Sequence, residues 1–355
     1  MSLLTVRRLF LVTLAFALFA LAAMLLSSLL GTVRINPLRV IAALLQTPPA
    51  ARTPADRAEI DIFFNLRLPR IALAFLAGAS LAVVGAVFQA LLRNPLATPY
   101  TLGVAGGGSF GAVTAIFLGA SFPALAFSWG PFNYVQCAAF GGSILAVLVI
   151  YGLARIGDRI STMDLLLAGV TMGMIFAALV MAVRYFASPT LLVGMDQWMM
   201  GGIDITNWPT LVSVLPFLVP GLGALLLMAR NFDQISFGEA LAQGRGVNVA
   251  RLQKQAFFFG SLATAAVVAV TGPIGFVGLI VPHTVRRIVG PDHRLLLPCT
   301  LFAGGAFLVL CDTFARTVLA PTELPVGVVT SLLGGPFFIY LLVKGRRSGK
   351  LWGEG

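Results

Sequence analysis

The feature that most constrains this chain is a recurrence of apolar runs about 20 residues long, the length at which a helix spans a bilayer. They lie near 9–30, 69–92, 100–120, 134–154, 164–186, 209–229, 255–271, 276–289, 295–319 and 326–343. The breaks between them hold the polar residues, prolines and glycines. This pattern predicts an all-α, polytopic membrane protein of about ten transmembrane helices, a single transmembrane domain over 1–355 with no room for a separate soluble one. Charged residues make up 10% of the chain and apolar ones 58%, against about 25% and 45–50% in soluble domains. A water-soluble enzyme is excluded. The eighth run is short, opens on Gly272-Pro273 and contains Pro282. It reads as an interrupted helix packed within the bundle, because lipid does not tolerate open backbone groups.

The net charge of +11 would suggest nucleic acid in a soluble chain, but here the basic residues punctuate apolar runs and act as topology signals. With the N-terminus inside, only Arg34, Arg39, Arg52, Arg57, Arg67, Arg70, Arg184 and Arg316 of the 24 Lys and Arg fall outside or at outer helix ends. Both termini are therefore expected in the cytoplasm. Arg7-Arg8 before Leu9–Leu30 reads as the anchor of a first span, since the run is longer than a signal core and further spans follow.

Several chemistries lack their residues. The only lysines are Lys254, Lys344 and Lys350, none in a phosphate-binding loop, so ATP-driven work falls to a partner. His283 and His293 belong to no HExxH, and Cys137, Cys299 and Cys311 lie singly in apolar stretches, where they read as packing residues. No directly bound cofactor or metal is expected. Gly103, Gly107 and Gly111 recur at four-residue spacing on the third span, the arrangement that lets helix backbones approach.

Charges within spans are costly and mark partners or cavities. Asp312 and Arg316, four apart, either pair locally or face a pathway. Arg184, near the outer end of the fifth span, has no obvious local partner, and Asp164 opens that span on the inner side. A helix polar at both ends fits a pathway lining; snorkelling of Arg184 is the competing reading. The longest cytoplasmic connection, 230–254, carries Phe237-Gly238-Glu239 through Gly246-Val247. It suggests two short helices with a glycine break, which could dock a soluble partner or lie at the headgroups.

Taken together, several segments resemble the permease subunits of type II ABC importers for ferric siderophores, haem and cobalamin. They are Arg67-Leu68-Pro69-Arg70, Gly78 to Gly85, Gln89 with Arg93-Asn94-Pro95-Leu96-Ala97-Thr98-Pro99, and Leu165 to Val170. Gly275 to His283 with Arg286, Asp292-His293-Arg294, Glu323 to Thr330 and Gly334 to Phe337 complete the set. The resemblance runs from near residue 30 to near 345.

It implies a homodimer with the pathway on its axis, two ATPase subunits on the cytoplasmic side carrying ATP and Mg, and a periplasmic substrate-binding protein. This places the chain in the inner membrane. It also implies that the loop between the sixth and seventh spans couples to the ATPase through Glu239, Ala240, Gly244, Arg245 and Gly246. Arg67, Arg70 and Arg316 would correspond to outer arginines that meet acidic residues of the binding protein. Ser161, Thr162 and Asp164, with Gly106 and Gly107, would stand at the pathway and inner gate, although Met163-Asp164 departs from the family's usual small or basic residues there. A ferric siderophore is the first expected cargo, with cobalamin or haem as alternatives; Gln197-Trp198-Met199-Met200-Gly201-Gly202 looks similar to the corresponding segment of cobalamin permeases. An ion-driven secondary carrier is the reading of another class. It needs acidic residues deep in spans, and Asp312 is the one the sequence offers.

Overall fold

The computed structural model describes residues 5–31, 40, 53–156, 159–160, 162–203 and 207–347. The first helix is α1 (Val6–Leu29), capped by Thr5, whose hydroxyl accepts the Arg8 N–H. Next, α2 (Pro54–Asp61), a π-helical turn (Ile62–Arg67) and α3 (Leu68–Leu91) run on as one 38-residue helix. Then come α4 (Val104–Ser121), α5 (Tyr134–Ala154), α6 (Thr162–Tyr185), α7 (Pro189–Met200) and α8 (Trp208–Leu227). Two short helices, α9 (Ala229–Ser236) and α10 (Glu239–Gly244), precede α11 (Val249–Thr271), α12 (Val277–Val289), α13 (His293–Thr317) and α14 (Val326–Arg347). Two-residue strands pair antiparallel, Ser128–Trp129 with Phe132–Asn133 and Arg155–Ile156 with Arg159–Ile160.

Among the described residues, eight helices are long and apolar enough to cross a membrane. The expected eighth span is not among them, and the expected tenth enters only as a shorter apolar stretch, Val326–Leu341 of α14. Helix α12 has 13 residues because Gly272 at φ 64° and Phe276 at φ 66°, in the left-handed region, flank Pro273 and delay its start. The stretch 187–208, expected as a plain break, holds α7. Proline at the first position of α7 supplies a ready-made φ where no N–H is needed.

Helix α3 forms the centre, buried along most of its length against α13, α12 and α11. Without a hydrophobic force between helices in lipid, close packing and hydrogen bonds hold such contacts. A Cβ on Gly78 would overlap the Gly304 carbonyl, and one on Gly85 the Gly278 carbonyl. Gln89 then ties α12 to α3, donating from Nε2 to the Gly278 carbonyl at 3.1 Å while its Oε1 accepts from Arg286 at 3.3 Å. On the third span, Gly107 and Gly111 abut the α5 backbone at Gly142 and Ala138. The four-residue spacing is a packing seam there.

Because carbonyls cannot swing aside as a side chain would, Gly85→Val is expected to cost about 3 kcal/mol or more and to remove the monodisperse peak of a fluorescent fusion in size-exclusion chromatography. Gly141→Ala, on a helix surface with open space beside it, should leave that peak unchanged. Equal profiles for the two variants would contradict the backbone contact.

Candidate translocation pathway and partner-facing sites

The outer half of the bundle is organised by a backbone junction at the end of α7. Gly202 N–H donates to the Thr271 carbonyl at 2.8 Å, and Gly327 N–H to the Gly201 carbonyl at 3.0 Å. Gly201, at φ 71°, and Gly272 let the end of α7 meet the 271–274 segment without a Cβ in between. Backbone groups freed by the breaks are thereby satisfied inside protein, as the membrane requires. Trp198 and Met200 lend their carbonyls to these close contacts, so the tryptophan-methionine-glycine segment acts as scaffold here.

Beside this junction lies a cavity of about 460 Å³, bordered by Gly106, Ser109, Phe176, Val180, Arg184 and Asp196 among others. It brings together two residues expected on the pathway, Gly106 of α4 and Arg184 of α6. Arg184 is not without a partner, contrary to expectation. Its Nη1 donates to Asp196 Oδ1 on α7 and lies 3.8 Å from the Met199 sulfur. The guanidinium also sits in the last turn of α6, where a helix favours positive charge.

Gly107, also expected near the gate, does not border this cavity among the residues that line it. It faces α5, and its absent side chain serves the packing seam. Thr162 begins α6, and Asp164 lies in its first turn, where the helix dipole favours a carboxylate. At 1.5 Å per residue, Asp164 stands about 30 Å along the helix from Arg184, so the two mark opposite ends of α6. Ser161 lies outside the described residues. Near the inner end, a second cavity of about 440 Å³ is lined by Arg93, Asn94, Pro95, Leu96, Met163 and Leu166. The Arg93 to Leu96 turn, at the end of α3, thus borders the start of α6.

On the outer side the three expected docking arginines are largely engaged within the chain. Arg67 and Arg316 are buried, at 6% and 5% exposure. Arg67 Nη1 donates to the Ser28 carbonyl at 2.8 Å, and Arg316 Nη2 to the Ser27 carbonyl at 3.0 Å and its hydroxyl at 2.8 Å, fixing α1 to α3 and α13. Arg70 holds Asp312 with Nε at 3.2 Å and Nη2 at 3.0 Å, and gives Nη1 to Glu323 at 2.8 Å. Of this group only Arg70 and Glu323 reach the surface. The expectation of three outward charges is corrected for Arg67 and Arg316: a guanidinium in a medium of low permittivity takes the nearest carbonyls and carboxylate. The local Asp312–Arg316 pair is present at 3.3 Å. Asp312, shared by two guanidinium groups, is committed to structure and is not poised to carry an ion.

The connection between α8 and α11 holds the two short helices expected of it. Helix α9 buries Ala229, Phe232 and Ile235. Its Asp233 Oδ1 accepts the backbone N–H of His293 at 2.7 Å and faces the His293 Nδ1 at 2.7 Å, which ties α9 to the start of α13. Nearby, the Arg294 guanidinium beside Asp292 holds that carboxyl below the usual carboxylate range. Stability from this pair is therefore present above the ordinary aspartate pKa and is lost as pH falls through the lowered one. Helix α10 is set off by Gly238 at φ 116° and Gly246 at φ 84°. It is pinned by buried Ala242, while Ala240, Gly244, Arg245 and Gly246 are exposed. Glu239 Oε1 accepts from Gln253 Nε2 of α11 at 3.3 Å. Phe237 and Leu241, which the sequence reading did not single out, are 61% and 58% exposed.

The model of the FecCD transport family matches residues 18–344. The chain belongs to the FecCD transport family. It is 42% identical over 278 residues to the cobalamin import system permease protein BtuC of Halobacterium salinarum, covering 78% of this chain and 72% of that one. To the iron(3+)-hydroxamate import system permease protein FhuG of Bacillus subtilis it is 37% identical over 316 residues, covering 89% and 91%. A solved inward-facing conformation of a metal-chelate type ABC transporter superposes with a TM-score of 0.78 at 29% identity, covering 94% of this chain and 98% of that one. The protein is an ABC transporter permease, a multi-pass subunit of the inner membrane. The architecture of this FecCD member rests on the same helices that border its cavity and its cytoplasmic loop.

Proposed function

We propose that the chain carries a metal chelate from periplasm to cytoplasm by alternating access, with ATP and Mg bound and hydrolysed on separate ATPase subunits. A ferric siderophore is the first cargo and cobalamin or haem the alternatives. The observation that carries this reading is the cavity bordered by α4, α6 and α7 at the outer end of α6, with a second cavity near its inner start. The outer cavity opens beside Met181, which is 70% exposed, on the α6 face that also bears Met174 at 71%. A half-cavity beside an exposed apolar face is completed by a second copy, so the functional unit is a homodimer with the pathway between two α6 helices. The binding protein docks outside, where Arg70 and Glu323 form the reachable edge of the arginine cluster, with Arg67 and Arg316 supporting it from within. Two ATPase subunits dock below, at Glu239, Ala240, Gly244, Arg245 and Gly246.

Affinity belongs to the binding protein. Tight binding in the permease would oppose release, so a wide, weakly binding pathway suits the task. The test is uptake in a strain lacking the gene, with labelled iron supplied as siderophore, labelled cobalamin and labelled haem, each restored or not by the wild-type chain. Restoration of iron uptake alone is the expected result. Restoration of cobalamin uptake alone would overturn the cargo and leave the importer standing, while restoration of none would overturn the reading itself.

A further inference from the structure

The charged pair in the outer cavity is placed for more than holding two helices together. Arg184 and Asp196 face a wall otherwise made mostly of apolar groups and glycines, including Phe176, Val180, Met181 and Gly106, with Ser109 as the other polar side chain. Both stay in contact with the cavity, their side chains 27% and 45% exposed. Within the described residues the bonds of Arg184 use Nη1 alone, to Asp196 and the Met199 sulfur. A guanidinium has five N–H donors in a rigid fork. Its Nε and Nη2 edge has no protein partner among the described residues, and that edge matches a pair of anionic oxygens bidentately.

We propose that Arg184 is a cargo-docking group whose Nε and Nη2 edge takes anionic oxygens at the rim of the chelate, with Asp196 as the positioning residue that fixes the guanidinium. The proposal rests on the pathway reading of this cavity. It narrows the cargo to chelates that carry a peripheral carboxylate or a comparable anionic oxygen pair. A neutral chelate gains nothing from such an edge. Asp196 keeps the empty site near zero net charge, so the anion is oriented without being trapped, in keeping with a pathway that must release what it takes. Arg184 sits in the last turn of α6, and α7 is fixed at its far end through Gly201 and Gly202.

Whole-cell uptake in the deletion strain tests this, with ferric citrate as the anionic probe and ferrichrome and cyanocobalamin as neutral ones. For Arg184→Gln, ferric citrate uptake is expected to fall at least tenfold. Arg184→Lys, which keeps the charge and loses the fork, should fall nearly as far, and Asp196→Asn should show an intermediate loss. The exchange of Arg184→Asp with Asp196→Arg restores an ion pair between α6 and α7 but turns a different edge to the cavity. It should keep the folded yield and thermal midpoint of the wild type and still fail in uptake. Recovery to within twofold of wild type in the exchanged variant would reduce the pair to a structural strap and overturn the proposal. A wild-type chain that restores only the neutral chelates would also overturn it while sparing the importer reading, and one that restores no chelate at all would overturn that reading as well.

Discussion

Replacement of Asp312 by leucine is expected to destabilise the folded permease by about 3–5 kcal/mol, the cost of leaving buried charge without its partner. Asp312 is 1% exposed and is the carboxylate against which both Arg70 and Arg316 are held. Arg316 would keep its two bonds to Ser27, and Arg70 its bond to Glu323. The Nε and Nη2 donors that Arg70 gives to Asp312 would face apolar surroundings with no acceptor. Asp312→Asn retains one acceptor and should lose about half as much. The damage reaches α1, since Arg316 also carries the contact to Ser27 and Thr313 reaches the Ser27 hydroxyl at 2.7 Å. Cys299 and Cys311 are buried, so a thiol-reactive dye reports the melt of the detergent-solubilised protein directly. A leucine variant melting within a degree of the wild type would show that the cluster contributes nothing net.

What the sequence made legible follows from which interactions are local. Lipid demands about 20 apolar residues per crossing, so the long helices stand out in a bare list of residues, as does a break at Gly272-Pro273. Helix α7 does not, because its 12 residues fall short of that length. The start of the second long helix is hidden too, since Pro54–Asp61 is polar and announces itself only through the capping box of Thr53 and Asp56. Charges behave alike. Asp312 and Arg316 are one helical turn apart and read as a pair, while Arg70 joins them from 242 residues away. Asp196 meets Arg184 across a turn between helices, 12 residues on, outside the i, i+3 and i, i+4 spacings that a helix face reveals. Gly106 and Gly107 are neighbours in sequence with opposite fates, because a helix turns by about 100° per residue: one borders the cavity and the other the α5 backbone. Exposure of Leu241 depends on which face of α10 Ala242 anchors, and that of Phe237 on how α9 ends, and both are decided only by the fold.

Those two side chains set the last expectation. Helix α10 is too short to be stable alone. Buried Ala242, a bond from the Val247 N–H back to the Ala242 carbonyl at 3.0 Å and the Glu239 to Gln253 contact hold it in place. Held there, it presents Leu241, with Phe237 from the end of α9 exposed nearby in the chain, and exposed apolar groups rimmed by polar ones mark a protein contact. If this loop transmits ATP-driven motion, the two apolar groups supply grip and Arg245 supplies register. Central anchors of an interface cost about 2–4 kcal/mol when removed, about 30-fold to 1000-fold in affinity. Phe237→Asp combined with Leu241→Asp should therefore strip the ATPase subunit from the purified complex and reduce uptake at least tenfold, with an unchanged melt because neither side chain lies in the core. Arg245→Glu should act differently: the complex survives, ATP is hydrolysed, and less than a tenth of the transport remains. Co-purification together with parallel assays of hydrolysis and uptake in proteoliposomes separates the two effects. Retention of the ATPase and normal uptake by the doubly substituted chain would place the docking surface elsewhere on the cytoplasmic face.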